Sequence, residues 1–167
     1  VKMQPTEEQL IEMFVRRGIR YDISVGAFDN EKLVGFNLNC IDSWSEKLTV
    51  YDTSTGIIPE YRARGITYEM FDFTFPKLKE LNVEQYLLEV IDSNEKAFKA
   101  YSKIGFKEIR FLDSFILKSN RTTQTNFNYK IETEPDWELY RTFWDWHPSW
   151  QNSINSIKRS KDRKVII

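Results

Sequence analysis

The stretch IIPEYRARGIT, residues 57–67, contains residue types that bind a phosphate-bearing ligand. The first N–H groups of a helix have no partners inside the helix, and the helix dipole places partial positive charge there. Small residues at Ala63 and Gly65 would let a pyrophosphate approach these amides, and Arg62 and Arg64 would add positive charge. The pattern is typical of an anion-binding turn that connects a strand to a helix.

Pro59 marks the point where the strand before this turn should stop pairing. Proline has no N–H to donate to a neighbouring strand, so sheet pairing should end just after Ile57 and Ile58. We expect the strand to separate from its neighbour here. Its main-chain groups would then be free for an extended ligand.

The composition excludes several other kinds of site. Of 167 residues, 41% are hydrophobic and 29% are charged, and the formal net charge of −1 argues against a broad nucleic-acid-binding surface. A single cysteine, Cys40, excludes an internal disulfide and a multi-cysteine zinc site, and it carries no signal of a nucleophile. The lone His147 excludes His-pair metal motifs, so we expect no metal and a structural role for this histidine.

The sequence also carries expectations about location. No apolar run approaches the roughly 20 residues that span a bilayer, and no signal peptide opens the sequence. The cysteine usage fits a reducing compartment. We therefore expect a cytoplasmic protein without a membrane or nucleic-acid partner.

The elements that must position the turn begin with a short helix and a hairpin. Thr6 and Gln9 form a capping-box pattern at the start of the helix, and Gly18 is a natural C-terminal stop. The runs ISVGAF and KLVGFNLNC flank DNEK, a strand–turn–strand signal, and KLTVYDTSTGII is a third strand.

The turn is followed by a helix from Gly65 to about Leu81, which Pro76 should bend. The run EQYLLEVI then reads as a strand, and a second helix begins at Asn94 and stops at Gly105. The run FKEIRFLDSFIL predicts one long strand or a bent pair. Helical crossovers combined with a hairpin imply the α/β class, as a mixed β-sheet flanked by helices.

The chain also predicts a division into two parts. Residues 118–127 are polar and lack apolar periodicity, so they read as a linker between residues 1–117 and 128–167. The last part is rich in tryptophan, but acidic residues surround these rings, which favours packing over stacking on nucleic acid.

The last part of the chain echoes the opening helix. Sliding the sequence so that Pro148 lies on Pro5 also aligns several later pairs: Ser149 with Thr6, Ile154 with Ile11, Arg159 with Arg16, Arg163 with Arg20 and Ile166 with Ile23. The echo predicts a tandem duplication, with chance similarity as the competing explanation.

Two motifs in order resemble the GNAT superfamily of acyl-CoA N-acyltransferases over roughly residues 21–117. The coenzyme motif Gln/Arg-x-x-Gly-x-Gly/Ala is carried by Arg62, Gly65 and Thr67. The downstream motif is carried by a second set of residues: Asn94, Ala97, Tyr101, Lys103, Gly105 and Phe106. Two positions depart from the pattern, because Thr67 stands where the family has Gly or Ala and Ala63 where Gly is common.

The resemblance implies an N-acetyltransferase that moves an acetyl group from acetyl-CoA to a primary amine by direct attack. In the family's arrangement the pantetheine arm lies along the main chain of Ile57 and Ile58, and one of their N–H groups polarises the thioester carbonyl. The pyrophosphate is bound by the amides of the turn and first helical residues: Arg62, Ala63, Arg64, Gly65, Ile66 and Thr67. The resemblance further implies that Asn94 bonds the coenzyme arm and that Tyr101 protonates the leaving sulfur.

Several points stay open at the level of sequence. Asn94 is also a good N-cap, and Tyr101 could be a packing aromatic. The base that accepts the amine proton could be Asp52, Glu89 or a water. Trp44 in the presumed loop CIDSWSEK could line the acceptor site or pack as a loop aromatic. The acceptor could be a small-molecule or a peptide amine, and a homodimer or a tandem-domain pairing is possible. The alternative function is a catalytically silent module that binds acyl-CoA as a sensor or structural partner.

The family's first strand and first helix have no counterpart ahead of residue 1. The segment NYKIETEPDWELYRTFW resembles that opening. Residues 128–167 are therefore expected to open a second such domain or to complete the first.

Overall fold

The computed structural model describes residues 4–116, 131–132, 135–161 and 165–166. The chain divides into two compact units, residues 1–107 and 108–167. The predicted linker falls within residues that are not described, so its boundaries stay a prediction. None of the helices in the described ranges is long and apolar enough to cross a membrane.

The first unit is a mixed β-sheet with three α-helices. Its elements in chain order are α1 (Glu7–Arg17), β1 (Val25–Asp29), β2 (Lys32–Trp44), β3 (Lys47–Ile57), α2 (Ile66–Glu80), β4 (Gln85–Leu88) and α3 (Glu95–Ile104). The sheet order is β1-β2-β3-β4, with β1, β2 and β3 antiparallel in turn and β4 parallel to β3. The predicted mixed sheet is confirmed.

The ends of the helices follow from local sequence chemistry. Thr6 and Gln9 form the expected capping box at α1, and Gly18 ends this helix in the left-handed conformation at φ 77°. Asn94 caps α3, and Gly105 ends it at φ 114°. Proline at position 76 does not interrupt α2, which is continuous from Ile66 to Glu80.

The hairpin between β2 and β3 is tighter than the sequence predicts. The presumed loop CIDSWSEK is mostly strand, because β2 continues to Trp44 and only Ser45 and Glu46 form the turn, both at positive φ. Trp44 is 8% exposed at the end of β2, so the prediction of a loop is wrong at this residue and the alternative of a packed aromatic is supported. A tight turn lets both strands pair to their ends, at Trp44 and Lys47.

The core of this unit lies between the sheet and α2. Val50 of β3 packs with Ile23 and Leu78 in one buried cluster. Phe71 of α2 is fully buried, and its ring lies 5.9 Å from that of Tyr101 and 5.5 Å from that of Phe106. These aromatic contacts fix α3 against α2.

The predicted last strand is absent. Residues 106–116 carry no regular secondary structure, and the side chains of Phe111 and Phe115 are 72% and 91% exposed. A preference for β-structure reflects packing on a pleated, half-buried surface. Phe111 and Phe115 are not covered by such a surface among the described residues, so apolar content alone does not make a strand.

Where the structure describes it, the second unit contains short elements only. They are β5 (Ile131–Glu132), α4 (Trp137–Arg141), α5 (Ile154–Arg159) and β6 (Val165–Ile166), with β5 antiparallel to β6. Trp150 is 2% exposed, and the ring of Trp144 lies 5.9 Å from that of His147, which supports packing of the aromatic residues. Aligning Pro148 with Pro5 places α5 within the span of α1; the duplication stays a prediction.

Candidate active site

The site lies where β3 and β4 part. Parallel pairing joins residues 49–52 of β3 to residues 85–88 of β4 and stops at the pair Asp52–Leu88. β3 continues to Ile57 with only β2 as its partner. A wedge therefore opens beside the part of β3 that follows Asp52, earlier than the separation at Ile57 and Ile58 that the sequence predicts. The end of pairing with β2 at Ile57 does match the position of the proline.

The main chain at the end of β3 offers one of the two expected N–H groups to this wedge. The N–H of Ile58 donates to the carbonyl of Val34 at 3.0 Å, and the carbonyl of Ile58 accepts from the N–H of Tyr61. In an antiparallel ladder this makes Ile57 and Gly35 a non-hydrogen-bonded pair, so the Ile57 N–H and carbonyl point away from β2. Ile57, rather than Ile58, can therefore bond a ligand through its N–H.

The turn before α2 has an open and exposed backbone. Ala63 and Gly65 both have positive φ, 60° and 84°, and an added Cβ at Gly65 would meet nothing within 4 Å. Residues 62–65 are exposed, whereas Ile66 and Thr67 are half-buried in the first turn of the helix. Because Gly65 occupies the cap position and has no side chain, it leaves the first amides of α2 uncapped.

The two arginines of the turn contact the protein in different ways. The Nε of Arg62 donates to the carbonyl of Ile57 at 3.0 Å, which ties the turn to the end of β3. The guanidinium of Arg64 lies 4.7 Å from the centre of the Tyr61 ring. Both charges are thus held close to the N-terminus of α2.

α3 contributes the other predicted residues. The side chain of Asn94 accepts from the N–H of Ala97 at 3.2 Å, which confirms the N-cap, and its Nδ2 amide keeps its donor character. Tyr101 lies two turns later, and its hydroxyl donates to Oδ2 of Asp52 at 3.3 Å. The structure therefore brings Tyr101 to the vertex of the wedge.

Asp52 is the most unusual side chain at this vertex. It is 6% exposed, and burial raises its pKa to about 6, although hydrogen bonds from Thr55, Tyr101, the main chain of Ser54 and the side chain of Asn37 act in the opposite direction. Its Oδ2 accepts from Thr55 at 2.6 Å, whereas its Oδ1 has no hydrogen-bond partner among the described residues. A buried carboxylate oxygen without a donor is costly for stability, which is frequent in functional sites.

The hydroxyl of Tyr101 responds to the same environment. Burial raises its pKa, and the nearby charge of Asp52 raises it further. Tyr101 is thus a neutral donor at physiological pH, and its proton is directed to Asp52.

The sequence did not distinguish Asp52 from Glu89 as the base, and it did not indicate every polar residue of the site. Glu89 is exposed immediately after β4, so Asp52 is the buried carboxyl of the two. Thr55 and Asn37, which bond one another at 2.9 Å beside Asp52, were not anticipated, because their contact depends on the register of β2 against β3. The available signal was the presence of polar residues in strands that otherwise read as apolar.

Comparisons with known proteins agree with this fold. Residues 3–106 match the sequence profile of the acetyltransferase (GNAT) family. An N-alpha-acetyltransferase from Sulfurisphaera tokodaii is 37% identical over 60 residues, which are 35% of this chain and 36% of that protein. The chain thus spans about a third of the length of this relative.

Solved structures give the same result at the level of the fold. A putative acetyl transferase from Pyrococcus furiosus superposes with a TM-score of 0.58 at 20% identity, covering 70% of this chain and 83% of that one. A chain of the NatC complex bound to Gag peptide and CoA superposes with a TM-score of 0.56 at 18% identity, covering 65% and 71%. Since the family profile covers more than half of the sequence, the chain belongs to the GNAT family of acetyltransferases.

Proposed function

We propose that the chain transfers an acetyl group from acetyl-CoA to a primary amine, with Asp52 as the proton acceptor. The observation that carries this proposal is the buried Asp52 carboxyl, whose pKa is raised to about 6 and whose Oδ1 has no partner at the vertex of the wedge. A general base works best when its pKa lies near the operating pH.

The coenzyme would be bound by the turn before α2 and the end of β3. Its pyrophosphate would accept from the amides between Arg62 and Thr67, where Ala63 and Gly65 keep the backbone open, and Arg64 would add charge. The pantetheine arm would follow the wedge beside Ile57. The Ile57 N–H would polarise the thioester carbonyl, and Asn94 would donate through Nδ2 to the coenzyme arm.

The reaction would then need two proton transfers. The amine nitrogen attacks the thioester carbon, the carbonyl electrons move to oxygen, and the amine proton passes to Asp52. When the tetrahedral intermediate collapses, the C–S bond breaks and the sulfur takes a proton from Tyr101. Asp52 would then release its proton to solvent and Tyr101 would regain one from solvent, which restores both groups.

The acceptor that we favour is the α-amine of a peptide. The relative from S. tokodaii is named an N-alpha-acetyltransferase, and this name supports a peptide over a small molecule as acceptor.

The test combines coenzyme binding with acetyl transfer. The full chain is incubated with acetyl-CoA and a set of short peptides of varied first residue, and free thiol and acetylated peptide are measured. Asp52→Asn should lower turnover at least about 100-fold with little change in acetyl-CoA affinity. Asp72→Asn, which removes an exposed carboxylate on α2, is the matched control and should leave turnover unchanged.

Each outcome has a definite meaning. Absence of acetyl-CoA binding would overturn the proposal, and so would full turnover in Asp52→Asn. Binding without transfer to any peptide or small-molecule amine would favour a silent acyl-CoA-binding module.

A further inference from the structure

We propose that a buried hydrogen-bond chain from Tyr86 through Asn39, Asn37 and Thr55 positions Asp52, so that its Oδ1 is the single atom that accepts the amine proton. The inference rests on the proposed function for its catalytic meaning. The chain itself crosses the sheet from β4 to β2 and then to β3. Its side chains other than that of Asp52 are outside the machinery assigned above.

The hydrogen-bond chain consists of short contacts, and its central side chains are shielded from solvent. Asn37 and Asn39 are both 0% exposed. Tyr86 donates to the Oδ1 of Asn39, and the Nδ2 of Asn39 lies 2.7 Å from the Oδ1 of Asn37. The Nδ2 of Asn37 lies 2.9 Å from the Oγ1 of Thr55, which lies 2.6 Å from the Oδ2 of Asp52.

One carbonyl fixes the direction of every bond in this chain. The carbonyl of Ile23 can only accept, and it lies 2.7 Å from Asn39, so the amide nitrogen of Asn39 must face it. The oxygen of Asn39 therefore faces Tyr86. The same nitrogen donates to Asn37, which must present its oxygen to Asn39 and its own nitrogen to Thr55. Since Thr55 then receives a proton, its hydroxyl hydrogen is free to point to Asp52.

The consequence concerns which oxygen of Asp52 can take a proton. Oδ2 already receives two hydrogen bonds, from Thr55 and from Tyr101, and both donors favour the charged carboxylate. Oδ1 receives none. A proton that arrives at Asp52 therefore binds at Oδ1, and Thr55 is the positioning residue that keeps Oδ2 occupied.

The other titratable groups near Asp52 decide whether a transition seen in a pH titration can be assigned to it. Tyr101 of α3 and Tyr86 of β4 are the titratable side chains that interact with it, and both stay neutral below the alkaline range because burial raises their pKa. Arg17 of α1 donates to the neighbouring Thr53 at 2.8 Å. A transition near pH 6 is therefore assigned to Asp52.

The test measures the Asp52 pKa directly in the full chain. Carbon-13 NMR of the Asp52 carboxyl is followed against pH for the wild type, Thr55→Val, Thr55→Ser and Asn37→Ala. Thr55→Val removes a hydrogen bond to the charged form of Asp52, so the pKa of Asp52 should rise by about one unit in this variant. Thr55→Ser keeps the hydroxyl and should restore the wild-type value, and Asn37→Ala should raise the pKa by less than Thr55→Val. Thr74→Val, which deletes another buried hydroxyl on α2, should leave it unchanged.

The activity profile supplies the second readout. The acidic limb of kcat/KM should move to higher pH in Thr55→Val by the same amount, with acetyl-CoA affinity unchanged. An unshifted Asp52 pKa in Thr55→Val would overturn the inference, and an unshifted value in Asn37→Ala would overturn the chain beyond Thr55. A wild type without transfer activity but with these NMR shifts would contradict the proposed function and leave the positioning chain standing.

Discussion

The two halves of β3 differ in what holds them. Residues 49–52 pair with β2 on one side and β4 on the other, and Val50 between them is fully buried. Thr53 lies at a bulge in this pairing, residues 54–57 pair with β2 alone, and their other edge faces the wedge. The closed half contributes to the stability of the sheet, whereas the open half leaves polar groups available for chemistry. Asp52 lies at the boundary between the two halves. It is buried like the residues of the closed half, and it has an unpartnered polar atom like those of the open half.

The largest expected effect is a pH dependence of stability that arises at this boundary. The pKa of Asp52 rises from 3.8 to about 6 on folding, so the folded state binds more protons than the unfolded state between these values. The free energy of unfolding should therefore fall as pH rises from about 4 to 6, by at most about 3 kcal/mol. Urea unfolding of the wild type and Asp52→Asn at pH 4 and pH 7 checks this. An equal pH dependence of the free energy of unfolding in both proteins would show that folding does not raise the pKa of Asp52.

Tyr101→Phe examines the open side of the same boundary. Loss of the hydroxyl should lower turnover about 100-fold, because the leaving sulfur loses its proton donor, with little change in acetyl-CoA affinity. Steady-state kinetics and coenzyme titration separate the two quantities. Tyr21→Phe, at a 71% exposed tyrosine, is the control. Unchanged turnover of Tyr101→Phe across pH would remove Tyr101 as the acid.

Val50→Ala examines the closed half. Val50 is fully buried between Ile23 and Leu78, so the truncation should lower the free energy of unfolding by about 2 kcal/mol. The Asp52 pKa and the acetyl-CoA affinity should not move. Val15→Ala on α1, where the side chain is 49% exposed, should cost much less. A changed coenzyme affinity in Val50→Ala would contradict the division between the halves.

Arg64→Glu examines the turn that follows the open half. Reversal of this charge at the N-terminus of α2 should weaken acetyl-CoA binding about ten-fold through repulsion of the phosphates. Lys79→Glu reverses an exposed charge at the far end of the same helix and serves as the control in a calorimetric titration. Equal affinities for the two variants would place the phosphates elsewhere.

Ala63→Gly should give the smallest effect. Ala63 has φ 60°, a conformation that costs an L-residue about 1 kcal/mol and glycine almost nothing. The variant should therefore be more stable by up to about 1 kcal/mol and should bind acetyl-CoA at least as tightly. Ala100→Gly inside α3 should instead be destabilising by a similar amount. Thermal unfolding distinguishes the two signs, and destabilisation at both positions would show that Ala63 is not strained.

Elements set by local chemistry could be predicted from the sequence, and elements set by distant partners could not. The capping box at Thr6, the cap at Asn94 and the glycine stops each depend on contacts within a few residues, and all are confirmed. The prediction of a final strand was wrong, because apolar residues form a strand only when they pack against another strand or surface. The position of Trp44 in a strand was missed because it depends on how far β2 and β3 pair before the hairpin turns.

The sequence by itself determined the family, the order of the first unit's helices and strands, and the open turn at Ala63 and Gly65. Small residues, a proline and two arginines act locally, so their spacing is sufficient to place them at the start of a helix. The tertiary structure decided that Asp52 is the buried carboxyl, that Ile57 rather than Ile58 faces the wedge, and that Thr55 and Asn37 form part of the site. These facts depend on strand register and on where β4 leaves β3, which local sequence does not encode.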